Sequence, residues 1–187
     1  AVIPGFYGAD ENGRIHTFSR GGSDVTGALV ARAVRAEIYE NWTDVTGFLL
    51  TDPNIVDHPK KIDVMTFSEL RELAYRGATV LHEDAVYPVR REGIPIHIRN
   101  TNEPDQNGTL ICHRIRPEEE TPITGIAGKK NFVAISIAKH RMNAQVGFCK
   151  KLLEAFDENG ISFEHMPSGI DTISVIMPKD EYLKKED

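Results

Sequence analysis

Cysteine is scarce in this chain: Cys112 and Cys149 are the two copies in 187 residues. A chain of this length needs no disulfide framework, so a reducing cytoplasm is the expected compartment. A basic surplus is also missing. Lys and Arg number 22 against 28 Asp and Glu, a formal charge of −6, which argues against a nucleic-acid surface. No apolar run approaches the roughly 20 residues of a membrane span, and no signal-peptide pattern opens the chain. The seven histidines (His16, His58, His82, His97, His113, His140, His165) are scattered. None has the close spacing that builds a metal site, so no protein-bound metal is expected. What remains is globular: 40% hydrophobic and 27% charged residues, enough to bury a core in one large domain or two small ones.

The organising stretch is Ser19-Arg20-Gly21-Gly22-Ser23-Asp24-Val25-Thr26-Gly27-Ala28. A polar glycine turn runs into a segment whose Val25, Ala28, Leu29 and Ala33 share one helical face. Ser23 suits the N-cap, and Asp24 puts negative charge where the helix dipole favours it. Gly21 and Gly22 lack the Cβ atoms that would keep an anion from the first N–H groups. Arg20 adds a planar fork of donors for a carboxylate or phosphate. Any one Gly-Gly-Ser helix start is by itself an ordinary turn, and the combination is what points to a ligand.

The pattern along the chain predicts a strand over Val2–Gly8, a turn at Asp10–Gly13, a helix from Ser23 to about Ala36 and a strand over Glu37–Trp42. Thr43-Asp44 then falls at a strand end and Asp52-Pro53 in a turn, the places where open α/β sheets gather ligands. Taken singly, each aspartate suits an Asx-turn. Thr66-Phe67-Ser68-Glu69 has the form of a capping box opening a helix that Gly77 closes. A helix over His82–Glu92 containing Pro88, a strand over Ile94–Asn100, a polar loop and a strand over Thr109–His113 follow. Strands alternating with helices predict a largely parallel sheet.

Residues 116–122 carry two prolines and three glutamates and read as a linker between a unit over 1–115 and one over 123–187. In the second unit Ile123–Ile126 and Phe132–Ile137 read as strands. Ala144–Asn159 reads as an amphipathic helix with Phe148, Leu152 and Phe156 on its stripe. Ile161–Met166 and Thr172–Met177 read as strands joined by Pro167–Asp171, the first part of a ferredoxin-like domain. Both ends of the chain read as cut.

Together these pieces resemble the aspartate kinases of the amino-acid kinase family. The resemblance is carried by Ser19–Asp24, Trp42–Gly47, Thr51-Asp52-Pro53, Gly77–His82, Ile94-Pro95-Ile96 with Arg99–Thr101, and Gly108-Thr109. In the second unit it is carried by Asn159–Ser162 and Pro167–Asp171, which are similar to the family's ACT regulatory domain. It implies an α/β fold: the C-terminal half of an αβα kinase sandwich followed by a partial ferredoxin-like ACT domain. It also implies phosphoryl transfer from ATP, with its Mg²⁺, to the side chain of L-aspartate. On that resemblance Arg20, Gly22, Ser23 and Asp24 meet aspartate, with Asp24 also the catalytic organiser. Thr43, Asp44, Leu49, Asp52, Pro53, Asn54 and Thr79 meet the nucleotide. The family often has an aromatic residue at Leu49, an arginine at Asn54 and a lysine at Thr79, so this chain has fewer cations on that side. Met142, Gly147, Phe148, Ser162, Ser168, Gly169, Ile170 and Asp171 would lie near a feedback effector, lysine or threonine, between paired ACT domains of a homodimer. For Met142 and Phe148 plain core packing is the simpler assignment. The family's N-terminal lobe has no counterpart here, so turnover by this chain alone is not expected. The alternative is an amino-acid-sensing, dimerising module without chemistry of its own.

Overall fold

In β5 (Ile96–Asn100), Ile96 and Ile98 are fully buried while His97 and Arg99 are not. This period of two is what a strand with one covered face requires. The computed structural model describes residues 1–18, 21–77, 81, 83–117 and 121–184, with the side chains of Glu83 and Asp84 left out. Its contacts divide the chain into two units, Ala1–Gly128 and Lys129–Asp187.

The first unit opens with an antiparallel hairpin of β1 (Tyr7–Ala9) and β2 (Ile15–Thr17). The Asp10 carboxylate accepts the N–H groups of Asn12 and Arg14, both at 2.9 Å, and so closes the turn. The expected seven-residue strand is thus three residues, paired with a strand that the apolar pattern did not mark. Next come α1 (Gly22–Ala33), β3 (Tyr39–Thr43), β4 (Val64–Thr66), α2 (Phe67–Tyr75), α3 (Glu83–Glu92), β5 and β6 (Thr109–Cys112). The sheet order is β3-β5-β6-β4. β3 runs parallel to β5 and β4 to β6, but β5 and β6 are antiparallel. The sheet is therefore mixed rather than largely parallel. No helix separates β5 from β6, and a short polar loop can only return a strand antiparallel.

One core gathers Ala28 and Ala31 of α1, Phe67, Leu70 and Leu73 of α2, Ala85 and Val89 of α3, and Met65, Ile96, Ile98 and Ile111 of the sheet. Leu29 and Ala33 of the expected apolar face are exposed. The small residues Ala28 and Ala31, with Val25 beside them, turn inward instead and let α1 pack close. The α2 start follows its sequence: the Thr66 hydroxyl accepts the Glu69 N–H at 3.2 Å, and the Glu69 carboxylate accepts the Thr66 N–H at 2.7 Å.

Residues 123–126 form no strand, and they belong to the first unit rather than the second. The Ile126 N–H donates to the Leu50 carbonyl at 2.7 Å, and Ala127 packs on the core. The division falls at Gly128, beyond the 116–122 stretch, because chain composition does not report a hydrogen bond made 76 residues away.

The second unit pairs β7 (Phe132–Ala138) with β8 (Thr172–Pro178) antiparallel along their whole length. Ile173, Val175 and Met177 of β8 form its core with Met142. Phe148, Leu152 and Phe156 of α4 (Phe148–Glu158) pack on them as the stripe predicts. The helix starts four residues later than expected: a 3-10 turn at Met142–Ala144 and Gly147 at φ 80° precede it. Residues 161–166 form no regular strand. They touch β8 through an isolated bridge, His165 to Ile176. A short α5 (Lys179–Leu183) follows β8.

Candidate functional site

Arg20 and Thr79, both assigned to ligand contact, lie outside the described residues, as does Ser19 of the same motif. At the start of α1 the N-cap is Gly21, at φ 84°, not Ser23, and no side chain caps the helix. Only glycine adopts that backbone without strain. Gly22 also serves a purpose that the sequence does not display. A Cβ there would lie 2.4 Å from the Phe18 Cβ and 3.2 Å from the Phe6 ring, so its missing side chain makes room for the hairpin. The hairpin is also bonded to the helix: the Phe6 N–H donates to the Thr26 hydroxyl at 3.2 Å.

Asp24 is anchored to the sheet by residues the sequence reading passed over. The Asn41 side-chain amide donates to the Asp24 carboxylate at 3.1 Å, and the Tyr39 hydroxyl donates to the Asp24 main-chain carbonyl at 3.1 Å. Gly27 admits the Tyr39 ring, since a Cβ would stand 2.6 Å from its hydroxyl. Burial pushes the Tyr39 phenol above its usual range, and the Asp24 charge adds to this against the Asn41 hydrogen bond. Asn41 is 7% exposed, so its amide needs a partner, and the carboxylate supplies one. β3 reads Tyr-Glu-Asn-Trp-Thr, so nothing in its sequence singles Asn41 out.

Asp24 is thus bonded to the first and middle residues of β3, and Thr43 follows on the same face at the strand's carboxyl end. There Thr43 donates to the Asp44 carboxylate at 3.2 Å. The Thr101 N–H and hydroxyl both donate to the Thr43 carbonyl, at 2.8 and 2.9 Å. Asn100, at the end of β5, donates to Thr46 at 2.8 Å, and Thr46 to Glu103 at 2.7 Å. Two parallel strands thus end side by side under one polar network. Gly47, at φ 93°, lies against β6: a Cβ would meet the Thr109 hydroxyl at 2.3 Å. The fully buried Thr109 accepts the Phe48 N–H at 2.8 Å and so locks the chain that leaves the strand end.

Leu49, Asp52, Pro53 and Asn54 sit on one excursion. Its stems are zipped by Leu50 N–H to Lys60 O and Ile62 N–H to Phe48 O, each 2.8 Å. Asp52 makes an Asx-turn, accepting the Asn54 N–H and side-chain amide at 2.8 and 2.9 Å. The plainer assignment for Asp52 is therefore the one seen, and Asn54 is turned inward onto it. The neighbouring Thr51 hydroxyl is buried without a partner, a cost of about 1–3 kcal/mol unless a ligand or water pairs with it. Lys60 brings positive charge to the return stem, while the Lys61 ammonium is paired with Asp63 at 3.0 Å.

In the second unit the 139–143 segment and the turn before β8 are bonded together. The Met142 N–H donates to the Asp171 carboxylate at 3.3 Å, the Lys139 N–H to the Asp171 carbonyl at 2.9 Å, and the Asn143 N–H to the Ile170 carbonyl at 3.2 Å. Met142 is buried in the core, whereas Ile170 is 72% exposed. The Gly169 N–H is engaged by Thr172 at 2.7 Å, inside the hairpin. Ser168 bridges Ile173, and Gly147 caps α4 under Phe148, whose ring carries the Lys139 ammonium at 5.1 Å. Ser162 lies exposed on the 161–166 segment, with no bond to this cluster.

Two clefts lined by described residues lie elsewhere, at the start of α2. They measure about 690 and 620 Å³ and share Glu69 and Thr124. Mixed charges (Arg71, Arg90, Glu69, Glu72) line the larger one, and no residue assigned to a ligand lines either. Cleft size alone does not single out a ligand. The bonded ends of β3 and β5, beside Asp24, are the better candidate because open α/β sheets bind there.

The profile of the Amino acid kinase family matches residues 1–100, and the chain belongs to that family. Within it, the similarity runs to aspartokinases. Aspartokinase 3 of Bacillus subtilis is 42% identical over 176 residues, covering 94% of this chain and 38% of that protein. The crystal structure of Clostridium acetobutylicum aspartate kinase superposes with a TM-score of 0.85 at 54% identity, over 99% of this chain and 43% of that one. Escherichia coli aspartokinase III is 31% identical in two solved states. One holds aspartate and ADP (TM-score 0.68, 93% of this chain and 38% of that one) and the other lysine and aspartate (0.66, 92% and 38%). The chain therefore spans well under half the length of these relatives.

Proposed function

We propose that the first unit supplies the nucleotide side of an aspartate kinase site, and that the second is its amino-acid-responsive ACT unit. The observation that carries this is the pairing of the parallel ends of β3 and β5 beside Asp24, in a chain collinear with an aspartokinase that holds aspartate and ADP. In the reaction, an oxygen of the substrate's side-chain carboxylate attacks the γ-phosphorus of ATP as the bond to the β-phosphate oxygen breaks and ADP leaves. That carboxylate, with a pKa near 3.9, is ionised at neutral pH, so no general base is required. The protein's task is positioning and charge neutralisation.

Arg20, with Ser23 and the N–H groups near Gly22, clamps the aspartate carboxylate in this reading. Asp24, fixed by Asn41, organises a cation nearby. Thr43 and Asp44 meet the nucleotide, Leu49 covers the base, and the Asp52-Pro53-Asn54 turn shapes the pocket with Thr79. Mg²⁺ arrives on the phosphates of the nucleotide in this reading. The effector, lysine or threonine, meets Met142, Gly147, Phe148, Ser162 and the Ser168–Asp171 turn, where two such units pair in a homodimer.

Calorimetric titration with Mg-ADP tests the reading. Saturable binding with no ADP release from ATP and aspartate supports it. No ADP binding by a folded sample that binds lysine or threonine favours the sensing module instead. No helix among the described residues is long and apolar enough to cross a membrane.

A further inference from the structure

We propose that Thr124–Ala127 is a strap that positions the 51–60 loop, so that nucleotide binding is coupled to the chain entering the second unit. This deepens the nucleotide reading above and rests on it. The strap lies along Leu50, which is held on both sides: its N–H donates to Lys60 at 2.8 Å, and its carbonyl accepts the Ile126 N–H at 2.7 Å. Leu49 bridges Lys61 in the same pairing, so the strap is the third member of a small backbone ladder from whose stems the loop springs. One end of the strap is fastened to α2, where the Thr124 hydroxyl donates to the Glu69 carboxylate that also caps the helix. At the other end Ala127 packs on the core.

Between these points only a residue without a side chain fits comfortably. A Cβ on Gly125 would lie 3.0 Å from a Leu73 methyl and 3.4 Å from the Leu50 carbonyl oxygen. The two clefts share Thr124 in their walls, so little else is packed against the strap there. Two hydrogen bonds and a few apolar contacts make a segment that opens locally long before the unit unfolds. Lys129, two residues past Ala127, begins the second unit. A pull on this stretch of chain draws first on the Ala127 packing and next on the Ile126–Leu50 bond, and through that bond on the stem that carries Thr51 and Asp52. By linkage, nucleotide binding must then tighten the strap as much as the strap tightens nucleotide binding.

The experiment uses the whole chain. Hydrogen exchange is followed in peptides covering 121–128 with and without Mg-ADP, and ADP affinity is measured for the wild type, Ile126→Pro, Thr124→Val and Thr124→Ser. The wild type should bind ADP and show slower exchange over 121–128 in its presence. Ile126→Pro, which has no N–H to donate, and Thr124→Val should each weaken ADP binding roughly three- to tenfold, the scale of one hydrogen bond. Thr124→Ser, which keeps the hydroxyl, should bind ADP like the wild type. Unchanged exchange over 121–128 on ADP binding overturns the proposal, as does wild-type ADP affinity in a folded Thr124→Val. Failure of the wild type itself to bind ADP overturns the nucleotide reading and this inference with it, so the two failures are told apart.

Discussion

Helices α1 and α2 begin under opposite arrangements in the same unit. At α2, Thr66 and Glu69 satisfy each other's backbone N–H groups, and Thr124 adds a third donor to the carboxylate. At α1, the cap is a glycine at φ 84° and no side chain caps it, while Phe18 fills the space a Cβ at Gly22 would take. The first start is finished by its own side chains. The second is shaped by glycine and backed by an aromatic ring, with Asp24 drawn toward the sheet by Asn41. A helix start built for stability and one kept for a ligand would differ in this way.

Breaking the α1 arrangement should have the largest effect. Gly22→Ala forces a Cβ against the Phe18 Cβ at 2.4 Å, and chemical denaturation should show a loss of about 1–3 kcal/mol, as for overpacking. Thr66→Ala removes the α2 cap, and the same measurement should show about 1 kcal/mol. Acid acts on that cap as well. Burial works against the ionised Glu69, but the Thr124 and Thr66 donors outweigh it and hold the carboxyl below its ordinary value. A lowered folded-state pKa stabilises above the unfolded value, and the gain is lost as pH falls from about 4.3 downward. Glu69→Gln should flatten that part of the stability–pH curve. The smallest effect sharpens the contrast most: Ser23→Ala, at a position that caps nothing, should change stability by less than about 0.5 kcal/mol. If it costs as much as Thr66→Ala, the two starts are not different in kind.

The same contrast explains what could be read from the sequence. The α2 box is local: Thr66 and Glu69 are three residues apart, and their spacing is the interaction. The stripe of α4 and the alternation of β5 are local too. Asn41 to Asp24, 17 residues apart, and Ile126 to Leu50, 76 apart, are set by the tertiary fold. Sequence pattern therefore named Asp24 without its anchor, and it carries no sign of the bond that ties residues 123–127 to the first unit. The sheet reads as more parallel than it is because strands and helices alternate over most of the unit, whereas the polar loop between β5 and β6 holds no helix and returns the chain antiparallel. At Gly22 the missing side chain has a further reason that the sequence does not display, the room it leaves for Phe18 and Phe6.

The most direct test of the central claim is the calorimetric titration of the folded chain with Mg-ADP, repeated on Thr43→Val with Asp44→Asn. The account predicts saturable binding by the parent chain that the double variant loses without loss of fold. Equal binding by the double variant would contradict it, because the nucleotide would then sit somewhere other than the joined ends of β3 and β5.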